Sequence, residues 1–210
     1  MIRRWIVTVC LLTTLNCGSK PESTPAPGDG LTSQTANSAA SVDVRGVLAP
    51  TVAPPSALVV LEPQSGVDLP VKPEPAIMDQ SGYVFLPGFL VAQAGQIVQF
   101  RNSEDVLHNV RVADASQQKP VFNVATTPFG TYEHKFEPGY YNVTCDIHPT
   151  MRASILVTAT PYTATTREDG GFAISGVKPG KYTLTVYAGT APVTRSVDVN
   201  AGRPDLGVIQ

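Results

Sequence analysis

From Val42 onward the chain is a series of short apolar and polar alternations broken by glycine and proline. Val42 to Leu48 (VDVRGVL) alternates in and out, and Ser56 to Glu62 (SALVVLE) is a second apolar run beyond a proline-rich APTVAPP loop. A period of two marks a half-buried strand, and glycine and proline mark the turns between strands. The stretch from Pro63 to Pro75 reads as a loop. Tyr83 to Leu86 and Phe89 to Ala92 read as strands around a Pro87-Gly88 kink. Ile97 to Phe100 follows after the Ala94-Gly95 turn, with Ile97 and Gln99 on one face and Val98 and Phe100 on the other. DASQQK, from Asp114 to Lys119, is a polar turn, and Phe122 to Phe129 is ambiguous. Tyr132 to Phe136, Tyr140 to Cys145 and Ser154 to Thr158 are further strands. With 17 glycines and 19 prolines in 210 residues, and recurring β-branched and aromatic residues, the expected class is all-β.

Chemistry concentrates in YNVTCDIHPTMRA, from Tyr141 to Ala153. Cys145, His148 and Met151 stand three residues apart on the loop between two strands. His108, in RNSEDVLHNVRV, ends an earlier strand-like segment and can enter from a neighbouring loop. One thiolate, two imidazoles and a thioether suit a trigonal His₂Cys copper site with a weak axial methionine. Zinc also takes Cys and His, but methionine is a poor zinc ligand and only one cysteine is present here. Singly, each residue has a bland reading: a buried inert thiol, or a core methionine. His134, between Glu133 and Lys135, reads as a surface histidine rather than a ligand.

The C-x-x-H-x-x-M spacing resembles the cupredoxins, and most of all amicyanin, with the plastocyanins as wider relatives. Phe85, Pro87, Val91, Gly95, Val98, Phe100 and Asn102 stand where that family carries its pattern leading into the first histidine. The resemblance implies a Greek-key β-sandwich over residues 73–158, holding one copper through His108, Cys145, His148 and Met151. It also implies that the Asn109 side chain ties the two ligand loops together; otherwise Asn109 is a turn residue. The edge of His148, ringed by Ile147, Pro149, Pro128 and Phe129, is the electron port implied for such a protein. Pro149 lacks an N–H and so gives the cysteine sulfur no hydrogen bond.

YTATTREDGGFAISGVKPGKYTLTVYA, from Tyr162 to Ala188, resembles the carboxypeptidase regulatory-like domain, a small transthyretin-like β-sandwich. Gly46-Val47-Leu48 and Ala57-Val59-Leu61 look like that domain's opening strand pair. The expected organisation is a split domain, residues 42–63 and 159–210, with the copper-binding domain inserted. The rival arrangement adds 42–63 to the cupredoxin itself.

The N-terminus changes the compartment. Arg3 and Arg4 precede an apolar Trp5 to Leu15 stretch, an export signal too short to span a bilayer. Thr14-Leu15-Asn16-Cys17 resembles a lipobox, making residues 1–17 a lipoprotein leader and Cys17 the lipidated residue; ordinary signal-peptidase cleavage is the alternative. Residues 18–41, rich in Ser, Thr, Pro, Ala and Gly, read as a flexible tether. Cys145 is then a lone thiol in an oxidising compartment, which metal ligation explains. With 15% charged residues, a net charge of −2 and no basic run, nothing points to nucleic acid.

The expected function is a type 1 copper protein, not an enzyme, carrying electrons between partners such as a cytochrome or oxidase. It would sit in the periplasm or cell envelope, on a membrane through its lipid. The alternative is copper storage or delivery to an oxidase.

Overall fold

The computed structural model describes residues 40–50, 56–67, 69–188, 191–202 and 204–210. The expected leader, Cys17 and nearly all of the tether lie outside them. Among the described residues every regular element is a β-strand, and the strands form four sheets stacked as two sandwiches.

One sandwich is built from the middle of the chain. β3 (Ala76–Ser81), β4 (Val84–Leu86), β6 (Ile97–Asn102) and β9 (Thr131–Lys135) form a sheet in the order β4-β3-β6-β9. Facing it are β5 (Phe89–Gln93), β7 (His108–Asp114), β8 (Pro120–Thr126), β10 (Gly139–Thr144) and β11 (Arg152–Thr158), in the order β5-β11-β10-β7-β8. The β3–β6 and β5–β11 pairs are parallel and the rest antiparallel. The alternation in GYYNVT does what period two requires: Tyr141 and Val143 enter the core, and Cys145 follows them just past the strand end. They pack with Met78, Phe85, Val98, Phe100, Val110, Phe136, Met151 and Ile155.

The other sandwich draws on both ends of the described chain. β1 (Val42–Leu48) pairs antiparallel with β13 (Gly171–Val177) and parallel with β16 (Asp205–Ile209). The second sheet runs β12-β2-β14-β15, from β2 (Leu58–Pro63), β12 (Thr163–Thr165), β14 (Gly180–Tyr187) and β15 (Val193–Val199). At the Asp169-Gly170 turn φ of Gly170 is +76°, and a side chain there would run into the Leu48 carbonyl, so the turn needs glycine.

The unbroken apolar run in β2 has a physical cause, which is burial on both faces. Val59 and Leu61 enter their own core, while Leu58 and Val60 pack against Leu156 and Val91 on the outer face of the five-stranded sheet. The Ala94 N–H donates to the Thr158 carbonyl, and the Thr158 hydroxyl donates to the carbonyls of Thr160 and Ala92, fixing the point where the chain leaves one sandwich for the other. The 63–75 loop is held to the first sandwich through Gln93 and Gln96, whose side chains donate to the carbonyls of Pro70 and Glu74.

Several elements differ from the sequence reading. His108 opens β7 rather than closing a strand. Ala76–Ser81, left unassigned in sequence, is a central strand, and the ambiguous stretch contributes β8. Tyr83 belongs to a turn rather than a strand: Gly82 and Tyr83 both have positive φ (65° and 60°) between the paired Ser81 and Val84, a type I′ hairpin. His134 is half-buried against Phe122 and Phe136, with ring centroids 4.8 and 4.7 Å away, and desolvation pushes its pKa below the ordinary value.

Candidate metal centre

At one end of the first sandwich three short connections converge: the Gly82-Tyr83 hairpin, the segment from Ser103 to Leu107, and the loop from Cys145 to Met151. The last is tightly closed. The Met151 N–H donates to the His148 carbonyl (2.9 Å), and the Cys145 N–H donates to the Met151 carbonyl (3.2 Å). Asn102, fully buried, shapes the second segment. Its Oδ1 accepts the Glu104 N–H (3.0 Å), and its Nδ2 donates to the carbonyls of Val106 (2.8 Å) and Thr126 (3.0 Å). That placement delivers His108 to the start of β7.

The three donors then meet. The Nδ1 atoms of His108 and His148 lie 3.0 Å apart, and Cys145 Sγ lies 3.8 Å from His148 Nδ1. All three ligand atoms fall within 4.8 Å of one another. An ion about 2.0–2.1 Å from nitrogen and about 2.3 Å from sulfur, at a trigonal angle, sets its N and S ligands about 3.8 Å apart. The donor set therefore fits a single first-row transition-metal ion. His108 and Cys145 are buried (0% and 2% exposed), while His148 is partly exposed. Met151, the fourth residue singled out in sequence, is fully buried in the same cluster as Cys145.

Around the donors lies a set of partners, of which only Asn109 stood out in the sequence. Its Oδ1 accepts the N–H groups of Asp146 (2.7 Å) and Ile147 (3.3 Å), so β7 is tied directly to the ligand loop. The Cys145 thiol also donates to this oxygen at 3.3 Å. The Asn109 Nδ2 donates to Asn123 Oδ1 (2.6 Å), and Asn123 in turn donates to Asp146 (2.8 Å). That bond from Asn123, with Arg111 and Asn109 behind it, outweighs desolvation and holds the Asp146 carboxyl below its ordinary pKa.

Glu104 was not foreseen. Its Oε2 lies 2.8 Å from His108 Nε2, and its Oε1 accepts the Gly82 N–H at 3.0 Å. A carboxylate on Nε2 selects the tautomer that leaves the Nδ1 lone pair free to face the other donors. Desolvation raises the Glu104 pKa, but the bonds to His108, Gly82 and Tyr83 prevail and lower it. No spacing marks such a residue: His108 is only four positions on, but the turn that its other oxygen holds comes from a hairpin about twenty residues earlier. Tyr83 was likewise missed. Its ring meets both histidines edge-on, with centroids 5.0 Å from His148 and 5.9 Å from His108.

Residues 147–208 match the carboxypeptidase regulatory-like domain family. The matched stretch begins inside the ligand loop, and β1 and β2 lie outside it. No curated protein matches the chain. Among solved structures it is 24% identical to a purple cupredoxin from Nitrosopumilus maritimus, over 40% of this chain and 99% of that one, with a TM-score of 0.35. It is 22% identical to amicyanin from Paracoccus versutus, over 48% of this chain and 97% of that one, with a TM-score of 0.36. A reduced amicyanin variant is 22% identical over 40% of this chain and 81% of that one, again at 0.36. The chain is thus similar to cupredoxins over one part and to the carboxypeptidase regulatory-like domain over another.

Proposed function

We propose that this protein is a type 1 copper protein that carries single electrons between redox partners outside the cytoplasm. The observation that carries the reading is the convergence of His108 Nδ1, His148 Nδ1 and Cys145 Sγ within 4.8 Å in a mostly buried loop cluster. Copper, when bound, supplies the one-electron couple. The chain would hold it through the His108 and His148 imidazoles and the Cys145 thiolate, with the Met151 thioether as the fourth, weaker donor. Glu104 orients His108, and Asn109 fixes the Cys145–His148 loop to β7. A cage held this way changes little between oxidation states, which suits electron transfer. Four protein donors leave no open position for a substrate, so the protein is a carrier rather than an enzyme.

The reading of the compartment rests on the N-terminal sequence. The Arg3-Arg4 leader and Cys17 support a lipid-anchored protein of the periplasm or cell envelope, where a cytochrome or an oxidase would be its kind of partner. The second sandwich supports the first from its outer sheet face.

Voltammetry of the copper-loaded protein tests the assignment. A single reversible one-electron wave is expected, with copper retained through gel filtration. Met151→Leu shifts the potential; no shift in potential or spectrum would remove Met151 from the ligand set. Copper lost during gel filtration, with no reversible wave, would favour delivery of the metal to an oxidase.

A further inference from the structure

Tyr83 lies against both histidine rings of the candidate metal centre. It occupies the second position of a two-residue type I′ hairpin, at φ 60°, a conformation that disfavours a bulky side chain. Asparagine or glycine suits that position, and a tyrosine there is held against an intrinsic preference. The holding group is the Glu104 carboxylate. Glu104 accepts the Gly82 N–H at 3.0 Å and the Tyr83 N–H at 3.5 Å, while the same carboxylate binds His108 Nε2 at 2.8 Å. One side chain thus fixes the turn and the histidine together.

The consequence is a ring set edge-on against both imidazoles. Tyr83 meets His148 at 84° and His108 at 73°, and the two histidine rings lie 4.7 Å apart. Tyr83 itself is 49% exposed, so it stands between water and the two imidazole rings that it touches. His148 is the one donor residue with solvent exposure, and Tyr83 lies against it.

We propose that Tyr83 is the residue that decides what reaches the metal centre: it bars small anionic ligands and chelators from the histidine side. This rests on the metal-centre reading and deepens it. A covered centre keeps its metal and passes only electrons, whereas an uncovered one exchanges metal. The strained turn and its Glu104 latch therefore set the protein on the electron-carrying side of that division. Tyr83 neither coordinates nor changes oxidation state in this role; it acts by occupying space beside the two imidazoles.

The test compares the wild-type protein with Tyr83→Gly and Tyr83→Phe. Glycine is at ease at positive φ, so that variant removes the ring and keeps the turn; phenylalanine keeps the ring. In metal-free protein, diethyl pyrocarbonate should modify His148 several-fold faster in Tyr83→Gly than in wild type, with Tyr83→Phe at the wild-type rate. In copper-loaded protein, loss of copper to EDTA should accelerate in the same order. Equal labelling and equal copper loss in all three proteins would overturn the proposal. So would a Tyr83→Phe variant as fast as Tyr83→Gly, since cover would then not come from the ring. The labelling arm needs no metal, so failure of copper to bind would count against the copper reading while leaving the cover measurable.

Discussion

Removing the Asn109 side chain tests the joint between β7 and the ligand loop. Asn109 is 7% exposed, and its Oδ1 takes the N–H groups of Asp146 at 2.7 Å and Ile147 at 3.3 Å. Asn109→Ala leaves both amides without an acceptor. A net contribution of about 0.5–1.5 kcal/mol per hydrogen bond, with water reaching the exposed side of the loop, gives a local loss of about 2 kcal/mol. At about 1.4 kcal/mol per tenfold, the Asp146 amide should then exchange its hydrogen about 30-fold faster. Amide exchange followed by NMR in metal-free protein reads this directly, with the β14 amides as an internal reference. Asn123→Ala is the control: it removes the 2.6 Å contact to Asn109 Nδ2 and the 2.8 Å bond to the Asp146 carboxylate, but leaves both bonds from the Asp146 and Ile147 amides to Asn109 Oδ1 in place. Its effect at Asp146 should be much smaller. Asp146 exchange unchanged in Asn109→Ala would refute the reasoning, and so would equal acceleration in the two variants.

Three other outcomes follow from the same geometry. Val60 is fully buried between the sandwiches, so Val60→Asp places an unpaired carboxylate there; urea unfolding should show a loss of at least about 3 kcal/mol, and a near-neutral effect would mean that the seam is open to water. Tyr182 is buried, with its hydroxyl donating to the Lys178 carbonyl at 2.6 Å, and burial, helped by nearby Tyr162, pushes its pKa from 10.0 up to about 12. The unfolded chain then loses this proton first, so stability is full below pH 10 and declines as pH rises toward about 12; Tyr182→Phe should flatten that decline, and an unchanged slope would assign it elsewhere. Glu104→Ala should release His108 from the tautomer protonated at Nε2, which ring ¹⁵N shifts of the metal-free protein report; unchanged shifts would mean that another group sets the tautomer.

Residue type and spacing made most of the donor set legible. Cys145 and His148 lie three apart on a loop between two readable strands, and only His108 had to come from elsewhere. What stayed hidden depends on contacts between segments far apart in sequence. β3 was obscured by Gln80, a polar residue in a buried position. That position becomes explicable only once Gln80 Nε2 donates to the Asn109 carbonyl (3.3 Å) and its Oε1 accepts the Thr126 hydroxyl (2.7 Å). β8 was ambiguous because it is an edge strand whose outward residues have no apolar partner to pattern against. Tyr83 looked like the start of a strand because tyrosine favours strands; only the backbone shows it in a turn. Glu104 looked like one acidic residue in a polar loop, and its role exists only because a hairpin and a histidine arrive at its two oxygens.

The most direct test of the central claim is the visible spectrum of the Cu(II)-loaded protein, taken beside that of Cys145→Ser. An intense thiolate-to-copper charge-transfer band is expected in the wild-type protein, and its loss in Cys145→Ser, because Cys145 would supply the thiolate of a His₂Cys site. Weak, broad absorption that Cys145→Ser leaves unchanged would contradict it, since Cys145 would then not bind the metal that His108 and His148 hold.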